Sequence, residues 1–194
     1  MKEKDIRFIY NTDNIFSIQV YIPIGSIHEK KGKTGISHFL EHIKFRKSKN
    51  HSMDNFFNLF NKITVSNAYT TKDHTCYYLR TNDDNWKDIT QIMYELVFNT
   101  SFKNNNMEIE KKIILEEKLL REPNISKYSD ADILLENSIL SKDNPYSRMI
   151  IGTTKDIKSI TNKDLKKYND QYFNDYLVVV SCGIKLKDKV KRLC

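Results

Sequence analysis

Cysteine, proline and glycine are all scarce in this 194-residue chain, with 3, 3 and 5 copies. Three widely spaced cysteines (Cys76, Cys182 and Cys194) exclude a disulfide framework and read as reduced thiols of a cytosolic protein. So little Gly and Pro leaves no flexible linker, and no repeat or low-complexity block interrupts the chain. No apolar run approaches the roughly 20 residues that cross a bilayer, so no membrane partner is expected. The opening MKEKDIRFIYNTD carries charge but neither an apolar stretch nor a small-residue cleavage site, which excludes a secretory signal of the usual kind. These absences describe one cytoplasmic domain, long enough to bury a core without covalent staples.

The chain is basic, with 32 Lys and Arg against 25 Asp and Glu, a net +7. Much of the excess sits in residues 185–194, and no aromatic residue is interleaved there. The stretch therefore reads as a solvated helix face, and no nucleic-acid partner is expected. The sequons at Asn50, Asn99 and Asn124 carry no weight without a secretory signal.

Hydrophobic periodicity predicts strands over 6–10, 16–24, 65–70, 75–81 and 176–182, the last apolar enough for a central position. It predicts helices over 36–46, 52–62, 86–98, 108–121, 131–140 and 161–172. Thr34 or Ser37 is available to cap the first of these, Pro123 to stop the fourth, and Thr161 with Asp164 to open the last. The order β-β-α-α-β-β-α-α-α-α-β implies an α+β fold: a largely antiparallel sheet with helices packed on it.

The most informative residues are His38-Phe39-Leu40-Glu41-His42. Histidines at i and i+4 on a helix lie only about 40° apart around its axis, so both imidazoles reach one ion. Neutral imidazole suits zinc. Glu41 projects on the same side as His38 and can reach a water on the metal without being a ligand. This is the inverted form of the zinc-peptidase helix. A catalytic zinc needs a third protein ligand, and the acidic segment 110–117 offers candidates on a second helix. Glu110 and Glu117 are two turns apart and share a face, whereas Glu116 lies about 100° from Glu117, so only one of the adjacent pair can point at the ion.

Beyond that pentapeptide, several segments resemble, in order, the N-terminal catalytic domain of the insulinase/pitrilysin family of zinc metallopeptidases. They are GSIHE at 25–29, GISHFLEHIKF at 35–45, NAYTTKDHTCYY at 67–78, EKKIILEE at 110–117 and NPYSRMIIGT at 144–153. The likeness is to the bacterial and mitochondrial-processing-peptidase branch and covers about residues 6–184. It implies one Zn2+ per chain held by His38, His42 and Glu117, with Glu41 as general base and Glu110 in support. It also implies that Asn67, Ala68, Tyr69 and Thr70 form a sheet edge that takes a peptide substrate as an added strand.

Two departures from the family pattern concern loops. After the zinc helix the family's Met-x-Phe-Lys-Gly-Thr is replaced by Ile43-Lys44-Phe45-Arg46-Lys47-Ser48, and Lys62 to Ser66 lacks the glycines usual before Asn-Ala-x-Thr. The family also joins this domain to a second, similar one that clamps substrate. By the same resemblance, residues 1–194 correspond to the zinc domain alone, and its last helix is expected to be clipped. A fragment, a subunit completed in trans and a remnant are all consistent with that. The resemblance implies a zinc endopeptidase acting on peptides or unfolded segments, possessing or requiring a partner domain. The competing reading is a zinc-binding subunit without activity of its own.

Overall fold

A computed structural model describes residues 5–46, 63–102, 104–125, 138–141 and 144–192. The helices expected over 52–62 and, in all but its last residues, over 131–140 lie outside the described residues.

Five strands form one mixed sheet: β1 (Asp5–Asn11), β2 (Ile15–Ile22), β3 (Val65–Thr70), β4 (Thr75–Asn82) and β5 (Leu177–Gly183). Their spatial order is β1-β5-β2-β4-β3. Only the β1–β5 pair is parallel; β2–β5, β2–β4 and β3–β4 are antiparallel. The apolar strand β5 is interior, but β2 holds the middle. Strict alternation in β2 buries Phe16, Ile18, Val20 and Ile22 on one face. Each such side chain contributes roughly 1.5–3 kcal/mol of burial free energy.

That face is covered by α1 (Ile36–Lys44) and α2 (Trp86–Phe98). Phe39, Leu40 and Ile43 of α1 and Ile89, Ile92, Met93 and Leu96 of α2 join one core with the β2 and β4 side chains. A long helix, α3 (Asn104–Ile125), packs beside α1. Three short helices follow: α4 (Thr154–Ser159), α5 (Asn162–Asn169) and α6 (Lys187–Lys191).

Four local expectations are corrected. α1 is not capped by Thr34 or Ser37: its N-cap is Gly35, at φ 86°, with no side-chain cap bond. The positive φ favours glycine, and a Cβ there would collide with the Ile151 carbonyl. α3 begins at Asn104 and continues past Pro123 to Ile125. The fixed proline φ is itself helical, and near a C-terminus only the last turn bears the lost hydrogen bond. The helix expected over 161–172 ends at Asn169 and tightens into a 3-10 turn over Asp170–Phe173. Its Thr161–Asp164 capping box is formed as expected. Finally, α4 was not anticipated, although Thr153 caps it by accepting from the Asp156 amide, a Thr-x-x-Asp pattern visible in the sequence.

Candidate metal centre

α1 carries His38 and His42 one above the other, with ring centroids 4.6 Å apart. α3 lies alongside and brings Glu117 to both. Its Oε2 stands 3.6 Å from His38 Nε2 and 3.5 Å from His42 Nε2. One donor atom from each of the three residues falls within 4.8 Å of the others, so together they could hold a metal ion. Zinc bound tetrahedrally with Zn–N and Zn–O lengths near 2.0–2.2 Å spaces its ligands about 3.3–3.6 Å apart, and the two His–Glu distances fit that spacing. Glu116 is on the exposed face of α3 and takes no part in the cluster.

Glu110, two turns before Glu117, is almost completely buried and supports His42 from behind. Its Oε2 lies 3.0 Å from His42 Nδ1, and its Oε1 accepts from Arg46 Nε. With Nδ1 engaged, His42 directs Nε2 toward Glu117. Burial disfavours the charged imidazole, but the Glu110 bond and the charges of Glu110, Glu117 and Glu41 outweigh it and raise the His42 pKa.

Glu41 sits on the same helix, one residue before His42. Thr70 Oγ1, in β3, donates to Glu41 Oε2 at 2.5 Å. That bond ties the candidate base to the sheet edge. β3 is the terminal strand, paired only with β4 within the sheet. Asn67 and Tyr69 are exposed, Ala68 and Thr70 half-buried. Asn67 Oδ1 accepts the Ala68 N–H at 2.9 Å. A cleft of about 460 Å³ opens here, lined by Glu41, His42, Phe45, Arg46, Asn67 and Glu110, among others.

Three residues without an assigned role in the sequence reading fix α1 in place. Buried Glu29 accepts from the Gly35 and Ser37 amides at 2.8 and 2.9 Å. It thus supplies the cap that α1's own residues do not. At the other end, Lys44 is fully buried and donates to Val97 O, Thr100 Oγ1 and Asn169 Oδ1. Burial pushes its pKa well down. Arg46 clamps Glu110. Glu29 stands in a quoted motif, but nothing in the sequence marks its amide partners. The acceptors of Lys44 are 53 to 125 residues distant.

Burial also lifts the Glu29 carboxyl from its ordinary 4.5 to about 7, although the Ser37 and Gly35 amides and Arg148 oppose the rise. Between those values the folded protein holds a proton that the unfolded chain has released. The Glu29 contribution to stability is therefore greatest below 4.5 and falls as pH rises through that window, levelling off above about 7. The loss is expected to reach up to about 3 kcal/mol. Unfolding midpoints at pH 5 and 8 should show this component in the native protein and lack it in Glu29→Gln. An unchanged slope in the variant would remove Glu29 as its source.

An inverted His-x-x-Glu-His helix, a carboxylate from the next long helix and an adjoining sheet edge that no other described strand pairs define the catalytic-domain architecture of a zinc peptidase. Comparison agrees: residues 7–153 match the sequence profile of the insulinase family, peptidase family M16. The chain belongs to that family. It is 30% identical over 177 residues to the uncharacterized zinc protease YmxG of Bacillus subtilis, covering 89% of this chain and 42% of that protein. It is 29% identical over 181 residues to the mitochondrial-processing peptidase subunit beta of Saccharomyces cerevisiae, covering 91% and 38%. The crystal structure of a protease from Helicobacter pylori superposes with a TM-score of 0.81 at 26% identity, over 94% of this chain and 45% of the other. The chain thus spans about two fifths of the length of the relatives it matches. No helix among the described residues is long and apolar enough to cross a membrane.

Proposed function

We propose that this chain is the zinc-bearing domain of a metalloendopeptidase, with peptides or unfolded segments as substrates. The observation that carries the reading is Glu41. A carboxylate beside a three-donor cluster, bonded to an exposed strand edge and facing a cleft, has a use in hydrolysis and none in a purely structural site.

His38, His42 and Glu117 would hold one zinc ion, with Glu110 and Arg46 fixing the orientation of His42. Zinc bound there would polarise a peptide carbonyl and make water acidic enough to deprotonate near neutral pH. Glu41 accepts that proton and passes it to the departing amine. Residues Asn67, Ala68, Tyr69 and Thr70 receive the substrate backbone as an added strand, the Ala68 N–H exchanging its bond to Asn67 for one to the peptide. The Thr70–Glu41 bond sets the distance between the strand and the base.

Among the described residues the cleft is bounded by β3, α1 and α3, all on one side of a bound strand, while the relatives are more than twice the length of the matched segment. We place the opposing wall in a second, similar domain, either in the same chain or in another. The yeast relative is by its name a subunit of a larger peptidase.

Cleavage of an unstructured peptide should be abolished by chelation and restored by about one equivalent of zinc. Should the isolated domain prove slow, the same test is made with a second such domain added. Cleavage that survives metal removal would overturn the reading.

A further inference from the structure

The cleft beside the metal centre carries two carboxylates, yet the polar groups it leaves for a substrate are donors. Glu110 is used on both oxygens, one by His42 Nδ1 and the other by Arg46 Nε. Glu41 Oε2 is held by the Thr70 hydroxyl, and Glu41 is the base of the mechanism above. The rest of the polar lining is Arg46, Ser66 and Asn67. Asn67 uses its Oδ1 on the Ala68 N–H and keeps its Nδ2 donors. Ser66 adds a hydroxyl. Arg46 adds most: of the five N–H donors in its fork, only Nε has a partner among the described residues, and both Nη groups are left over. The side chain is 28% exposed, so it is anchored by buried Glu110 yet open to the cleft. The family's Met-x-Phe-Lys-Gly-Thr has Lys at this position; this chain has the residue whose planar fork matches a carboxylate.

Charge does not oppose that match. Glu41, Glu110 and Glu117 are balanced by Arg46 together with the two charges of a zinc ion, so the loaded site is neutral overall. Position then fixes which part of a substrate meets Arg46. Arg46 lies about one helical turn beyond His42, and both line the cleft. Ser66 shares a face of β3 with Ala68 and Thr70, the face on which Thr70 reaches Glu41. A peptide added antiparallel to β3, as β4 is on the other side, runs toward Ser66 in its C-terminal direction. The bond facing Glu41 therefore comes first, and the residues after it pass Ser66, Asn67 and Arg46.

We infer that Arg46 selects substrates by a carboxylate in the first or second residue after the cleaved bond, bound by its two Nη groups with Ser66 and Asn67 donating beside them. An Asp or Glu side chain supplies that group within a longer peptide, and the C-terminal carboxylate supplies it where the peptide ends there. The inference deepens the peptidase reading and rests on it.

The test measures kcat/KM for the zinc-loaded chain on unstructured peptides whose cleaved bond is located by mass spectrometry, with a second such domain added if the isolated chain is slow. In one series, blocked at both ends, a single Glu is walked through the positions around the bond, each with a Gln control. In the other, the peptide stops one or two residues after the bond, with a free or an amidated C-terminus. A Glu in the first or second position, or a free C-terminus there, should raise kcat/KM about tenfold over its control, the scale of a charge-assisted hydrogen bond. The gain should shrink with salt and fall toward unity in both Arg46→Gln and Arg46→Lys. Arg46→Lys retains a cation for Glu110, and each gain is a ratio taken within one variant, so a general loss of rate from a disturbed His42 cancels. The series that shows the gain identifies the source of the carboxylate. No gain in either series, or a gain that persists in either variant, would overturn the inference and leave the peptidase reading intact. Absence of any zinc-dependent cleavage would overturn that reading and this one with it.

Discussion

Zinc affinity will collapse in Glu117→Ala, fall less in Glu110→Gln and hardly change in Glu116→Ala. The ranking follows from position on α3. Glu117 Oε2 stands within 3.6 Å of both histidine Nε2 atoms, so under the proposed function its removal deletes a ligand. Glu110 touches the cluster only through His42 Nδ1, and its loss frees the ring and Arg46 without removing a donor. Partners of that kind typically matter about 10–100-fold in metal affinity. Loss of a direct ligand should exceed that range, and His38→Ala with His42→Ala should abolish binding. Glu116 faces solvent, where its substitution alters surface charge alone. Competition titration against a chelator of known affinity measures all four proteins on one scale. Glu116→Ala as the more damaging change would rotate the acidic helix by about 100° and disqualify Glu110 with it.

The histidine pair was legible in the sequence because it depends on helical spacing within one element; that spacing allows only one of Glu116 and Glu117 to face the pair, and the choice of Glu117 came from the family resemblance. Periodicity placed β2, β3, β4 and α2 within a residue or two, since alternation runs the whole length of β2 and the second halves of β3 and β4, and a 3.6-residue stripe runs along α2. What escaped depends on contacts between elements. Lys44 looks like a surface residue at a helix end, yet it is buried where α1 meets the end of α2 and Asn169. Helix caps are usually local, which points to Thr34 and Ser37 for α1. Here Thr34 Oγ1 donates to Asp156 and Ser37 Oγ pairs with the Tyr168 hydroxyl, and the amides fall to Glu29. Gly35 and Gly152 explain why. Both have positive φ, and each lies against the other's neighbouring carbonyl. That close approach packs the start of α1 on the start of α4 and leaves the cap to a residue from the preceding loop.

Peptide hydrolysis is expected to fall about 10²–10⁴-fold in Glu41→Gln, with zinc still bound. The residues that could hold the metal are His38, His42 and Glu117, and Glu41 is not among the atoms that converge there. Gln keeps the side chain's length and one carbonyl oxygen, which can still accept from Thr70 Oγ1 as Glu41 Oε2 does. The link between α1 and the substrate edge is thereby preserved, and peptide affinity should change little. Only the capacity to take a proton from water and return it to the leaving amine is lost. The effect should therefore fall on kcat, with KM and zinc stoichiometry close to native. Thr70→Val separates positioning from proton transfer. It removes the donor to Glu41 while leaving the base in place, so it should lower kcat less than Glu41→Gln does. Native rates in Glu41→Gln, measured on the same peptide with one zinc confirmed per chain, would move the base to another residue.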